Sequence, residues 1–137
     1  MKNKILIEAL RLAKSNFHKH PELHNGRFLH WSFIVVNNKI MEWGTNCAGI
    51  SPPIHLGYHH QIENNELGPK LHSEYVAWKK ARDLIKNENW EIINVRLNRT
   101  MAPKMSAPCP CCSNFLNSMG CKCAYFTHDS GWAKTLT

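Results

Sequence analysis

The chain has 137 residues, 43% of them hydrophobic and 20% charged, and these values argue against a disordered chain and for one globular domain over residues 1–137. No apolar stretch approaches the roughly 18 residues of a membrane span, and the N-terminus opens with Lys and Asn rather than a secretory signal, so we expect a cytoplasmic protein without a membrane partner. The 17 Lys and Arg against 10 Asp and Glu give a net charge of +7, which favours a polyanionic partner or serves solubility alone.

The N-terminal part predicts a helix followed by a β-hairpin. Apolar residues recur at helical spacing over residues 2–17, with Lys and Arg on the other face. Further along, two β-branched and aromatic runs flank Asn37 and Asn38, and Asn tolerates the positive φ of tight hairpin turns. We therefore expect strands at about 29–36 and 40–44. Residues 47–70 sustain no period and predict a long loop.

The C-terminal part predicts two helices and two or three strands. Residues 71–87 return to helical spacing and lead into a strand at 91–97. A proline-rich linker precedes a short helix from Cys111 to Met119 and a strand at 121–128, and the tail could return as a fifth, antiparallel strand. Because both long helices need a sheet face to cover their apolar stripes, the predicted fold class is α/β, a three-layer α/β/α sandwich with a mixed five-stranded sheet.

The cysteine and histidine spacing predicts a metal site. Five of the six cysteines fall between residues 109 and 123, which suits metal ligands better than disulfides in an unsecreted protein. His72-Ser73-Glu74 opens one predicted helix, and residues 108–112 (PCPCC) open the next. Together they match H-x-E and P-C-x-x-C, in which one His and two Cys bind Zn²⁺, a fourth position stays open for water, and the Glu serves as general acid and base. We therefore predict His72, Cys109 and Cys112 as zinc ligands and Glu74 as the catalytic residue.

Two alternatives concern the other cysteines. Cys111 competes with Cys112 for the metal, although the three-residue step from Cys109 returns to the same helical face and favours Cys112. A purely structural zinc cluster of Cys109, Cys112, Cys121 and Cys123 is the second alternative. Its C-x-C half departs from the C-x2-C that zinc ribbons use, so Cys121 and Cys123 are better interpreted as small core residues.

At these residues the chain resembles the cytidine deaminase-like superfamily, which includes cytidine and deoxycytidylate deaminases, tRNA adenosine deaminases and the AID/APOBEC enzymes. The HSE and APCPCC motifs carry the resemblance, and GTN at 44–46 and YFTHDSGW at 125–132 are its weaker parts. The resemblance implies that Asn46 hydrogen-bonds the substrate sugar, that the Ser73 backbone contacts the base, and that Ala107 accepts from the exocyclic amine. It indicates a minimal bacterial or phage-type enzyme, because the chain leaves no room for extra C-terminal helices.

The predicted reaction is hydrolytic deamination of cytosine to uracil, with Zn²⁺ and no organic cofactor. The net charge and several aromatic residues that could stack on bases favour single-stranded DNA, ahead of RNA, as the substrate of a monomer or small homo-oligomer. The alternatives are free cytidine, deoxycytidine or dCMP, then adenine in tRNA, and finally a zinc-stabilised nucleic-acid-binding module without catalysis. The remaining candidate substrate contacts are Trp43, Phe126 and His128.

Overall fold

The computed structural model describes residues 3–19, 29–46 and 72–136, so the long loop predicted at 47–70 lies outside the described residues. The described elements are α1 (Asn3–Lys19), β1 (Leu29–Val36), β2 (Lys39–Thr45), α2 (Ser73–Ala81), β3 (Trp90–Leu97), β4 (Pro103–Lys104), α3 (Pro110–Ser118), β5 (Cys121–His128) and β6 (Gly131–Leu136). None of the described helices has the length and apolar character needed to cross a membrane.

The fold class is α/β with one mixed sheet, as predicted. The strands follow the order β2-β1-β3-β5-β6, and β4 pairs with β3 beside this path. The β3–β5 pair is parallel, and the other described pairs are antiparallel. The predicted return of the tail as an antiparallel strand is confirmed by β6. Within the described residues the sheet has six strands rather than the predicted five, because β4 forms inside the segment predicted as a linker.

Two turns have local causes, one between β1 and β2 and the other after β3. Asn37 and Asn38 have φ values of 50° and 60°, so the predicted tight turn is confirmed. After β3, the side chain of Asn98 accepts hydrogen bonds from the N–H groups of Thr100 and Ala102 at 2.9 and 3.0 Å, which turns the chain back to form β4. This turn was not predicted, because the proline-rich segment around it indicates a linker.

Helix α2 is shorter than the predicted range of 71–87 and ends at Ala81. The chain continues in turns, in which the N–H groups of Leu84 and Ile85 donate to the Ala81 carbonyl at 2.7 and 3.0 Å. Ile85 is still buried in the core. Turns with near-helical spacing therefore extend the apolar period beyond the end of the helix.

Alternate residues of β1 and β3 enter two separate hydrophobic clusters. Trp31, Phe33 and Ile93 pack with residues of α1, whereas Ile34 and Ile92 pack with residues of α2 and α3. Because successive side chains of a strand point to opposite faces of the sheet, the two clusters lie on opposite faces. The predicted metal ligands on α2 and α3 are thereby placed on one side of the sheet.

Gly44 permits the close approach of β2 to α2. A Cβ atom at this position would lie 2.6 Å from Val76 Cγ1 and 2.8 Å from the backbone N of Ala77. The backbone of a helix cannot move aside as the end of a flexible side chain can. We expect Gly44→Ala to lower the free energy of unfolding by about 1–3 kcal/mol, as overpacking does. Urea unfolding measures this loss, with the exposed Met41→Ala in the same strand as control. Equal unfolding midpoints for Gly44→Ala and wild type would contradict the contact.

Candidate metal centre

The N-terminal ends of α2 and α3 meet at one end of the sheet. Each helix leads into a strand, α2 into β3 and α3 into β5, and these two strands are parallel neighbours. Their helices therefore begin at the same end of the sheet. His72 is the N-cap of α2 and Cys109 is the N-cap of α3, and Pro110 at the first position of α3 suits a helix start.

The three predicted metal ligands lie together. The ligand atoms of His72, Cys109 and Cys112 are all within 4.8 Å of one another, and within the described parts of the chain no other group of His, Cys, Asp and Glu residues meets this condition. His72 Nδ1 is 3.9 Å from Cys109 Sγ and 3.2 Å from Cys112 Sγ. Ideal zinc bonds to nitrogen and sulfur at the tetrahedral angle would separate these atoms by about 3.6 Å. The group could therefore hold a metal ion.

The two thiols of this group have opposite proton affinities. A hydrogen bond from the Cys112 thiol is the largest influence on Cys109 and lowers its pKa to about 5, against the opposing effect of burial. The same hydrogen bond, reinforced by burial, raises the pKa of Cys112 well above its usual value. At neutral pH the pair therefore holds one thiolate, on Cys109, and one proton, on Cys112.

Metal binding is expected to release the Cys112 proton. Since Cys109 is already ionised, the apparent affinity for Zn²⁺ or Co²⁺ should rise about tenfold per pH unit between about pH 7 and about pH 9. Chelator competition across this range measures the slope, and calorimetry in buffers of different ionisation enthalpy counts the protons. An affinity that does not change with pH would show that both thiols are ionised before the metal arrives.

The alternative cluster of four cysteines does not form. Cys123 Sγ donates to Glu91 Oε2 at 2.9 Å, and Cys121 Sγ donates to the Cys123 carbonyl at 3.4 Å. Burial and the hydrogen bond to Glu91 raise the pKa of Cys123 to about 11. Cys111 is buried outside the metal group, which agrees with the preference for Cys112.

The carboxylate of Glu74 is buried, acts electrostatically on Cys109 and Cys112, and is held at both oxygens. Glu74 is 5% exposed. Ser73 Oγ donates to Oε1 at 3.1 Å, and Asn94 Nδ2 donates to Oε2 at 3.1 Å. Ser32 Oγ lies 2.7 Å from both Ser73 Oγ and Asn94 Oδ1 and joins the two donors. Glu74 lies in the first turn of α2, where the helix dipole favours an acidic side chain.

A second set of buried polar contacts supports Asn94 from behind. Its Nδ2 also donates to the Ser106 carbonyl at 3.1 Å, and the Ser106 hydroxyl donates to the Asn94 carbonyl at 2.9 Å. Ser106 and Thr127 hydroxyls are 2.8 Å apart. These residues were not predicted from the sequence, although Ser32 and Asn94 each stand directly between two apolar residues of a strand, in WSF and INV. Buried polar groups of this kind require partners.

Asn46 is hydrogen-bonded to His30, which lies two residues before Ser32 in β1. His30 is paired with Arg96 across β1 and β3, and the backbone N–H of His30 donates to Asn46 Oδ1 at 2.9 Å. Burial lowers the pKa of His30, and Arg96 and His72 add to this effect while Glu74 opposes it. His30 therefore lies within electrostatic reach of both the predicted ligand and the predicted catalytic residue.

Three further predicted substrate contacts lie near the centre in sequence or register. Phe126 pairs with Asn94 in the parallel β3–β5 register, so their side chains share a face of the sheet. Ser73 contacts Glu74 through its hydroxyl, whereas its predicted contact to the base is through the backbone. Ala107 is exposed and lies two residues before Cys109. Their roles toward a substrate stay predictions.

The other two predicted contacts are engaged elsewhere. Trp43 packs with the cluster around α1, with its ring centroid 6.3 Å from that of Phe33, on the face opposite Glu74. Lys80 Nζ lies 5.5 Å from the Trp43 ring centroid. His128 Nδ1 accepts from the Ser130 N–H at 3.2 Å in the β5–β6 turn. Trp43 therefore lies away from the metal group, and the role of His128 toward a substrate stays a prediction.

Comparisons with known proteins add no assignment. No family model matches the chain, and no curated protein matches it significantly. The resemblance to the cytidine deaminase-like superfamily therefore stays a prediction from the motifs. The function has to be argued from the metal group, the buried carboxylate and the polar network around them.

Proposed function

We propose that the protein is a zinc-dependent deaminase that hydrolyses cytosine to uracil in single-stranded nucleic acid. The observation that carries this proposal is a buried carboxylate, Glu74, beside the three-donor group of His72, Cys109 and Cys112. Zinc sites that only stabilise a fold usually have four protein ligands, whereas catalytic sites keep one position open. Among the described residues the group has three donors, and three donors near a held carboxylate support hydrolytic chemistry over a nucleic-acid-binding module.

The proposed fold is the three-layer α/β/α sandwich of the cytidine deaminase-like superfamily. Its support is the division of the core into two clusters, one formed with α1 and the other with α2 and α3. The motif residues support it as well, since H-x-E begins α2 and P-C-x-x-C begins α3. In this arrangement the helices that carry the chemistry are adjacent on one face of the sheet.

Zinc is the proposed metal because of the donor set. One imidazole and two thiol groups suit Zn²⁺ better than the hard cations Mg²⁺ and Ca²⁺, which prefer oxygen ligands. When bound, Zn²⁺ would supply Lewis acidity that lowers the pKa of water at neutral pH. His72, Cys109 and Cys112 are the residues that would hold it.

Glu74 is the residue that moves protons in the proposed reaction. Its carboxylate takes a proton from the attacking water, whose oxygen bonds to C4 of cytosine, and delivers a proton to N3. It then carries the second proton of the water to the amino nitrogen, which leaves as ammonia when the C4–N bond breaks. Cytosine and water thus become uracil and ammonia, with no oxidant or reductant required.

The proposed substrate is a polynucleotide, on the basis of charge and aromatic placement. The net charge of +7 favours phosphate-rich partners. Phe126 lies on the same face of the sheet as Asn94 and is partly exposed, so it could stack on a base. Arg96 and His30 form the neighbouring pair on the same face, two residues along β3 and β1 from Asn94 and Ser32. Free cytidine, deoxycytidine and dCMP are the competing substrates.

One assay separates these substrates. Purified wild type and Glu74→Ala, both loaded with zinc, are given matched single-stranded DNA, duplex DNA, RNA, dCMP and cytidine, and uracil formation is measured. Conversion of oligonucleotides that is lost in Glu74→Ala supports the proposal. Conversion confined to dCMP or cytidine would identify an enzyme of free nucleotides, and no conversion of any substrate by the wild type would overturn deaminase function.

Salt dependence tests the polynucleotide substrate separately. If the enzyme neutralises about three phosphates of a single strand, its affinity should fall at least about tenfold between about 50 and about 200 mM salt. KM for an oligonucleotide measures this loss, and thermal unfolding at each salt concentration controls for stability. A KM that does not change with salt would argue against a polynucleotide.

A further inference from the structure

The orientation of the Asn94 amide follows from its neighbours. The Ser106 carbonyl can only accept a hydrogen bond, so the group facing it at 3.1 Å is the NH₂ of Asn94. The same NH₂ faces Glu74 Oε2 at 3.1 Å. Asn94 Oδ1 then faces Ser32 Oγ at 2.7 Å, and because an amide oxygen only accepts, Ser32 donates. The network leaves Asn94 a single orientation.

This orientation distinguishes the two carboxylate oxygens of Glu74. The hydrogen bond from Asn94 favours Oε2 as an acceptor, because the amide N–H that faces this oxygen can only donate. Oε1 contacts Ser73 Oγ, and a hydroxyl can donate or accept. The two oxygens therefore face different partners: Oε2 faces a group that can only donate, and Oε1 faces a hydroxyl that can donate or accept.

We propose that Asn94 is a positioning residue that fixes Glu74 through Oε2 and leaves Oε1 facing the Ser73 hydroxyl. This inference rests on the proposed deaminase function and deepens it, since it adds a residue that touches neither metal nor substrate. Asn94 is 1% exposed and is itself held by Ser32 and Ser106, so the amide cannot turn away without breaking buried hydrogen bonds. Rigid support of this kind keeps a proton-transferring group in its productive geometry.

The test compares Asn94→Ala with a matched buried variant. Asn94→Ala should lower kcat about 10- to 100-fold and change KM less than about threefold, because the substrate does not touch this side chain. Cys121→Ala is the control: it removes a buried thiol that donates to the Cys123 carbonyl at 3.4 Å and lies outside the network around Glu74. It should lower the unfolding temperature with kcat within about threefold of wild type.

A second variant keeps the test decisive if Asn94→Ala does not fold. Ser32→Ala removes a partner of both Ser73 and Asn94, which together hold Glu74, and should lower kcat about 3- to 30-fold with KM unchanged. The Co²⁺ absorption spectrum of each variant reports the metal ligands directly and should match that of wild type.

The outcomes separate this inference from the function on which it rests. An active wild type with a normal kcat in Asn94→Ala or Ser32→Ala would overturn the positioning role and leave the deaminase standing. A changed Co²⁺ spectrum or a raised KM with unchanged kcat would also overturn it, because the residue would then support the metal or the substrate. A wild type that deaminates nothing would overturn both proposals.

Discussion

Replacing Glu74 by Gln is expected to lower kcat for deamination by about 10²–10⁴-fold while the protein keeps its fold and its metal. Gln has the shape of Glu but cannot take a proton from water at neutral pH. Its amide fits the network, because its oxygen can accept from Asn94 Nδ2 and its NH₂ can donate to Ser73 Oγ, which then donates to Ser32. The loss of activity should therefore appear without a large loss of stability.

Uracil formation, bound zinc per chain and the unfolding temperature are the three measurements for Glu74→Gln. The matched control is Glu88→Gln, which changes an exposed carboxylate after α2 and should leave all three values unchanged. Near-normal turnover in Glu74→Gln would remove this residue from the chemistry. A loss of zinc together with activity would instead make Glu74 a residue that supports the metal site.

Much of the fold could be predicted because its signals are local. The Asn37–Asn38 turn is encoded by two residues that tolerate positive φ, and its hairpin was predicted to within one or two residues of β1 and β2. Helix α1 follows from one apolar stripe. The predicted end of α2 at residue 87 was wrong, because Ile85 continues the apolar period in turns that follow the helix. Periodicity reports burial, and burial does not require a helix.

The metal group could be predicted for the same reason, since its ligands sit at two short motifs. Their meeting, however, depends on the parallel pairing of β3 and β5, which no short segment encodes. The network around Glu74 depends on cross-strand register: Ser32 lies opposite Asn94 because β1 and β3 pair as they do. The members of the metal group and Glu74 could be predicted from short motifs, whereas the residues that hold Glu74 could not, because their support comes from several strands at once.

Replacing Cys112 by Ala is expected to weaken zinc binding at least about 100-fold, since even residues that only support metal ligands cost 10–100-fold. Zinc that binds only the folded state stabilises it in proportion to the logarithm of its affinity. At a zinc concentration of about 100 times the wild-type Kd, the wild type should gain about 2.7 kcal/mol and the variant less than about 0.5 kcal/mol. Thermal unfolding with and without zinc measures both gains.

Cys111→Ala is the matched control, because Cys111 is also fully buried and lies next to Cys112 in α3, but outside the metal group. Its loss leaves a small cavity, so its unfolding temperature should fall equally with and without zinc, and the stabilisation by zinc should persist. Cys112→Ala should lose that stabilisation, because only the three-residue step from Cys109 returns to the helical face that meets His72. If Cys111→Ala lost the effect of zinc and Cys112→Ala kept it, the ligand would be Cys111, and the first turn of α3 would have to be rotated relative to this structure.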